Sequence, residues 1–490
     1  MPVLKGRELR IVGFLCNWCS YGGADTAGVG RFEQPTDLRI IRVPCSGRVD
    51  PLFVAKALFN GADGVLVSGC HPRDCHYSVG NLYARRRLEL LREFLPALGI
   101  DPARFEYTWV SASEGQRWKN VVSSFTARIH ELGPAPGLMD AAPYLPPAGP
   151  DGSGPRPAAG ALPRPGADAP AASLAELRER IRAALPELDC VIGWQQGFDA
   201  LHTTPLFMRT PEDVDRLVWG PLNVHNLATY LPRFKGRKVG VVVKGCDSRS
   251  VIELMQEKLI DPAAVRVFGL ACSGVADPAR LQEVLARAAA GETPAAVAQR
   301  GDQLLVALKN RVHEIPLAAV AAEKCLSCPT PLPLLGENAP AAPALSAPEP
   351  ASPGLEMLDR MTLEQRRGFW RAHMEHCLRC HACRNACPLC VCREQCAAES
   401  RAPHWCTQDS SPLEKLLVQV IHAVHLTGRC TECGECQRAC PMGIPVLALK
   451  QWMNRSVRTL FGYRAGLDPA ATPPLLAFAM EEKNIKESAL

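Results

Sequence analysis

One cysteine spacing occurs twice in this chain and constrains it more than anything else: Cys377-x2-Cys380-x2-Cys383-x3-Cys387-Pro388, then Cys430-x2-Cys433-x2-Cys436-x3-Cys440-Pro441. Three closely spaced thiolates wrap one side of a cubane, while the fourth, set off by three residues and followed by proline, reaches a different cubane. Each run therefore completes the seat of the other. The spacing predicts one 4Fe-4S cluster on Cys377, Cys380, Cys383 and Cys440, and a second on Cys430, Cys433, Cys436 and Cys387. Structural zinc also uses C-x2-C pairs, but normally with a longer spacer between them.

The chain has 490 residues and 22 cysteines. No run approaches the roughly 18 apolar residues of a membrane span, and MPVLKGRELR leads into a strand pattern rather than an export signal, so the expected location is the cytoplasm. In that reducing compartment clustered thiols hold metal more often than disulfides. The 55 Lys and Arg against 50 Asp and Glu leave +5 spread thinly, with no basic stripe for nucleic acid and no expectation of direct membrane insertion.

Two stretches rich in Pro, Ala and Gly, 133–172 and 336–354, read as linkers. They divide the chain into units 1–132, 173–335 and 355–490. The first alternates β-rich runs (IVGFL, RIIRV, GVLVS, FEYTWV) with helical pattern, as an open, mostly parallel α/β sheet does. The second opens on a capping box at Ser173–Glu176 and carries CVIGW, KVGVVVKG and VRVFGL, predicting a second α/β unit. The third is mainly helical, with a capped helix from Ser411, and fits a small ferredoxin-like dicluster domain.

Strand ends organise the remaining thiols. Cys16, Cys45 and Cys70 each follow a predicted strand of the first unit, with Cys19 and Cys75 close in sequence. Carboxyl ends of parallel strands share one edge, so these five should meet there, and four suffice for a 2Fe-2S cluster. His71 and His76 each directly follow a cysteine, which favours hydrogen bonding over ligation and so all-thiolate coordination. Cys246 and Cys272 follow strands of the second unit, and with Cys325-x2-Cys328 they are candidates for a third cubane. Cys390, Cys392, Cys396 and Cys406 are candidates for another cluster or a zinc ion, and Cys190 starts a strand and reads as core. Trp18, Trp194 and Trp405 read as packing, and His422 and His425 as surface or supporting groups.

The segments FLCNWCSYGGAD, VPCSGRVDP and SGCHPRDCHY, within residues 11 to about 130, resemble the delta subunit of methyl-viologen-reducing hydrogenase. That resemblance implies a 2Fe-2S centre on four of Cys16, Cys19, Cys45, Cys70 and Cys75, and a conduit joining hydrogenases to heterodisulfide reductase. TTPLFMRTPEDVDRLVWGPLNVHNLATYL, VVKGCDSRS and the tandem runs resemble the beta subunits of formate dehydrogenases and deazaflavin-reducing hydrogenases. Such relatives can bind FAD, although no G-x-G-x-x-G fingerprint is present here.

Together these readings describe an electron carrier rather than a substrate-binding catalytic subunit. Its partners would be hydrogenase or formate dehydrogenase subunits on one side and heterodisulfide-reductase-like subunits on the other. The alternatives are a flavin-containing subunit reducing NAD or a deazaflavin, and a zinc-stapled scaffold. The carriers are expected to sit on flexible tethers that raise their effective concentration for one another.

Overall fold

The computed structural model describes residues 8–147, 162, 173–288, 292–336, 339, 352–392 and 395–487, so most of both expected linkers lies outside the described residues. The first unit is a four-stranded parallel sheet in the order β2-β1-β3-β4, with β1 Ile11–Cys16, β2 Leu38–Val43, β3 Gly64–Gly69 and β4 Phe105–Trp109. Alternation along the strands divides the core. Phe14, Val65 and Val67 face the helices Pro51–Phe59 and Gly80–Phe94, while Ile11, Leu15 and Leu66 face Trp118, Val122 and Phe125 of the helix Gly115–Leu132.

The second unit has the order β6-β5-β7-β8, with β5 Cys190–Gln196, β7 Val239–Val243 and β8 Val265–Gly269 parallel and β6 Thr203–Met208 antiparallel at the edge. The helix Leu174–Ala184 starts on the expected Ser173–Glu176 capping box, closed in both directions. Beside it stands a sheet that the strand patterns do not announce. This is an antiparallel meander of β9 Ala296–Arg300, β10 Gln303–Ala307 and β11 Val312–Pro316, whose Leu304, Val306 and Ile315 pack with Leu281 and Leu285. The strands are short and two-residue Gly301-Asp302 makes the first turn, a signal legible in retrospect.

The third unit is built from the helices Leu363–His376, Pro412–His425 and Leu447–Phe461. It is not tethered at a distance, as expected, but shares a core with the first: Leu90, Phe94 and Leu98 pack with Phe369, Trp370, Leu416 and Trp452. Trp370 Nε1 donates to the Ala97 carbonyl and Trp452 Nε1 to the Glu93 carbonyl, each at 2.7 Å. The beginning of the expected first linker also docks here, with Arg371 donating to the carbonyls of Met139 and Ala141 at 2.8 Å. The physical reason is amphipathicity: the Gly80–Phe94 helix has more apolar surface than its own sheet covers, and the carboxy-terminal helices take the remainder.

The second unit meets the third just as closely. Leu389, Leu426 and Cys430 join its core, Ser250 Oγ lies 2.8 Å from Thr431 Oγ1, and Arg429 pairs with Glu257. At this boundary Glu253 is fully buried, with Tyr463 donating to Oε2 at 3.4 Å and Oε1 without a hydrogen-bond partner among the described residues. Burial, then the charge of Glu257, pushes its carboxyl up to about 8. The folded chain therefore holds this proton more tightly than the unfolded chain, so its effect on stability is absent below the ordinary carboxyl range and grows unfavourable as pH rises toward about 8. Glu253→Gln should reduce the loss of stability over that range, read from denaturant midpoints at a series of pH values.

No helix among the described residues is long and apolar enough to cross a membrane.

Candidate metal centre

In a sheet ordered 2-1-3-4 the connections leave in opposite directions after β1 and β3, which opens a crevice at their carboxyl ends. Cys16 ends β1 and Cys70 follows β3, and their Sγ atoms lie 3.5 Å apart in that crevice. A second pair, Cys45 and Cys75, stands at 3.8 Å. Cys19 completes the group, its sulfur within 4.8 Å of those of Cys16 and Cys70. All five expected thiols thus meet, four of them buried.

The backbone is shaped around them. A Cβ on Gly80 would lie 2.6 Å from Cys45 Sγ and 3.5 Å from Cys75 Sγ, so only glycine leaves the sulfurs room. The Cys19 and Gly47 amides donate to Cys16 and Cys45 at 3.4 and 3.3 Å. Hydrogen bonding from the Cys70 thiol, opposed by burial, lowers Cys16 to about 5, while Cys70 itself moves far up, and burial pushes Cys45 up to about 11. Protons are thus retained on some of the thiols unless a cation displaces them. The donor set fits an all-thiolate iron–sulfur group.

Both histidines have side-chain partners among the described residues. His71 Nε2 pairs with Glu114 Oε2 at 2.6 Å, and His76 stacks on Trp18 with ring centroids 3.9 Å apart. Trp18 is half-exposed rather than packed in a core, whereas Trp194 is fully buried and Trp405 stacks on Phe53.

The tandem runs fold alike. In each, the residue two after the first cysteine (Arg379, Glu432) and the residue two further on (His381, Gly434) have positive φ, and a one-turn helix follows. That left-handed backbone turns the Arg379 and Glu432 amides onto Cys377 and Cys430 at 3.4 Å. Cys377, Cys380, Cys383 and Cys440 line one cavity. Cys387 lies across, beside Cys430, Cys433 and Cys436, whose charges add to burial in raising it. The chain brings together the crossed sets that the spacing predicts.

The other two sets also converge. Cys246, Cys272, Cys325 and Cys328 line one cavity. Cys392 and Cys396 act electrostatically on Cys390, which burial pushes up to about 11, while Arg384 donates to the Cys392 carbonyl at 2.9 Å. Cys396 also lies near Cys406. Cys190 is buried at the start of β5. His422 departs from the surface reading: it is buried, and neither ring nitrogen has a partner among the described residues. Among described residues only Cys16, Cys19 and Cys70 bring three ligand atoms within 4.8 Å of one another. A single tetrahedral ion with bonds of about 2.3 Å needs sulfurs about 3.8 Å apart, so the wider sets do not have zinc geometry.

A strand-end crevice and a helical repeat that each gather cysteine thiols offer the donor set of iron–sulfur proteins. The sequence comparisons make the class specific. The family model for the methyl-viologen-reducing hydrogenase delta subunit matches residues 11–133. The vhc iron-sulfur subunit of the F420-non-reducing hydrogenase of Methanococcus voltae is 52% identical over 127 residues, 26% of this chain and 88% of that protein. Through this segment the chain belongs to the delta-subunit family. A ferredoxin/F420H2-dependent CoB-CoM heterodisulfide reductase subunit of Methanosarcina acetivorans is 49% identical over 124 residues, 25% of this chain but only 16% of that protein. The solved F420-reducing NiFe hydrogenase complex of Methanosarcina barkeri aligns at 20% identity over 31% of this chain and 57% of that chain, with a TM-score of 0.26, a likeness too slight to define the fold.

Proposed function

We propose that the chain is an electron-transfer subunit relaying electrons between a hydrogenase or formate dehydrogenase and a heterodisulfide-reductase-like complex. The observation that carries this reading is the shared core of Phe94, Leu98, Trp370 and Trp452, which joins the delta-type thiol crevice to the two crossed thiol sets in one packed body. Packing of that kind suits a fixed path better than a diffusing tether. Bound iron–sulfur groups would supply one-electron exchange with little ligand movement.

The chain's own residues set the conditions. Cys16 with Cys70 and Cys45 with Cys75, paired at 3.5 and 3.8 Å, have the spacing of two thiolates on each of two irons, which leaves Cys19 as the spare thiol of a 2Fe-2S seat. Cys377, Cys380, Cys383 and Cys440 hold one 4Fe-4S group, and Cys430, Cys433, Cys436 and Cys387 the other. Amide donors to Cys377, Cys430 and Cys440, each at 3.4 Å, stabilise negative charge on sulfur and so favour the reduced state.

The test is reduction by a partner. Anaerobically purified chain mixed with a NiFe hydrogenase under hydrogen should develop the EPR signals that dithionite produces. Silence under hydrogen with every such hydrogenase and formate dehydrogenase tried, or stoichiometric flavin in the isolated chain, would reverse the proposal. In the amino-terminal seat, Gly80→Ala should cost most of the 2Fe-2S signal and Cys19→Ser little of it. Equal losses would show the pairing above to be wrong.

A further inference from the structure

The two tandem-run seats are alike in backbone and opposite in exposure. Position by position, Leu378 of the first run corresponds to Thr431 of the second, and Cys380 to Cys433. Met442, which follows Cys440-Pro441, corresponds to Leu389, which follows Cys387-Pro388. Around Cys430, Cys433, Cys436 and Cys387 these positions are closed: Thr431 and Leu389 are each 1% exposed and Cys433 is buried. Around Cys377, Cys380, Cys383 and Cys440 they are open, with Leu378 63% exposed, Met442 41% exposed and Cys380 exposed. The second unit makes the difference. It takes Leu389 into its core and sets Ser250 Oγ 2.8 Å from Thr431 Oγ1, whereas Leu378 and Met442 join no hydrophobic core among the described residues.

We propose that the seat of Cys377, Cys380, Cys383 and Cys440 is an electron port, and that an acidic carrier protein docks over Leu378 and Met442 to exchange electrons there. The proposal rests on the electron-relay reading and adds to it the place of exchange and the charge of the partner. Leu378 and Met442 line the same cavity as the four cysteines, so a surface that covers these two side chains also covers the sulfurs. By the internal repeat, such a partner would stand on the first seat where the second unit stands on the second.

Charge selects the partner. Arg379 and Lys415 line the cavity, and no Asp or Glu among the described residues does. The Arg379 guanidinium donates to the carbonyls of Thr407 and Asp409 at 2.6 and 3.1 Å, and neither it nor Lys415 has a carboxylate partner among the described residues. An exposed apolar pair beside unpaired cations favours an acidic surface. The patch is small, which suits the brief encounters of electron carriers, whose interfaces bury less than about 1,200 Å² in total. The charges of Cys433 and, from the other seat, Cys383 add to burial in raising Cys436, so the two seats adjoin. One electron then passes from the reduced group of the docked carrier to the first-run group and on to the second, with no proton exchanged and no bond made or broken.

The experiment mixes the full chain, purified and reconstituted without oxygen, with either of two reductants in a stopped-flow instrument. One is a small acidic ferredoxin, and the other is the methyl viologen radical cation, which needs no docking surface. The ferredoxin rate constant should fall as salt rises. Leu378→Glu/Met442→Glu should keep the iron count and dithionite EPR of the parent, slow the ferredoxin reaction at least about tenfold, and leave the viologen reaction unslowed. Leu378→Gln/Met442→Gln should slow the ferredoxin less, and Phe198→Glu, at a side chain 83% exposed on the second unit, should change neither rate. Cys383→Ser should remove the fast ferredoxin phase, while Cys433→Ser should retain it. An unchanged ferredoxin rate in the Glu double variant, a rate that rises with salt, or a fast phase that survives Cys383→Ser would overturn the port. If the Glu variant lost iron, the Gln variant and the salt series would decide in its place. Failure of hydrogen and hydrogenase to reduce the chain, with these rates as described, would reverse the relay reading and leave the port standing.

Discussion

Cys387→Ser should disable the cluster of the other run. Within the first run Cys387 looks like the last of four consecutive ligands, and a local reading would have its loss damage the group on Cys377, Cys380 and Cys383. The structure instead sets Cys387 beside Cys430, Cys433 and Cys436, and Cys440 in the cavity of Cys377, Cys380 and Cys383. Anaerobic iron analysis should show a loss of up to about four irons, or conversion to a three-iron form, in the seat of the second run. Cys440→Ser should do the same to the first. EPR distinguishes the two outcomes, with Cys433→Ser and Cys383→Ser as references for each seat. If Cys387→Ser matched Cys383→Ser, the crossed assignment would be wrong. The amino-terminal signal should survive in every case, since its thiols come from other strands.

Trp370→Ala should be among the most destabilising single changes in the chain. Its ring is fully buried where the first and third units meet, and its Nε1–H satisfies the Ala97 carbonyl at 2.7 Å. Truncating a buried Trp costs about 3–5 kcal/mol, and a buried carbonyl left without its donor adds about 1–3 kcal/mol. Because the side chain joins two units, the loss should appear as separation of the units rather than uniform weakening. Proteolysis of the native protein should then cut between residues 133 and 172 much faster than in the parent, and electron exchange between the amino- and carboxy-terminal centres should slow. Trp370→Phe retains most of the packing and loses only the hydrogen bond, so it should recover most of the stability. A variant with parental denaturant midpoint and cleavage rate would mean that the two units do not depend on this core.

Much of the candidate site is legible in the sequence because cluster binding imposes local rules. Cysteine and proline at fixed offsets in the tandem runs are enough to define each loop, and the left-handed residues at 379, 381, 432 and 434 show the loops folding alike. The strand-end reading of Cys16, Cys45 and Cys70 succeeds for a related reason: parallel strands have one carboxyl edge, so cysteines far apart in sequence need only end neighbouring strands. The β9–β11 meander escapes notice because its strands are short and half-exposed, with no long apolar run to mark them. The settings of His71 and Trp18 are equally hidden, since nothing near them in sequence announces Glu114 or His76 as a partner.

The sequence alone determined which cysteines of the tandem runs come together, since each loop's geometry depends on residues a few positions apart. Tertiary structure decided what long-range contacts control: the packing of the first and third units through Phe94, Trp370 and Trp452 and of the second and third through Leu389 and Leu426, the pairing of Cys16 with Cys70 and of Cys45 with Cys75, and the reach of Lys324 to Cys433. Contacts of that kind depend on which apolar surface each helix leaves uncovered, a quantity that exists only once the neighbouring elements are in place.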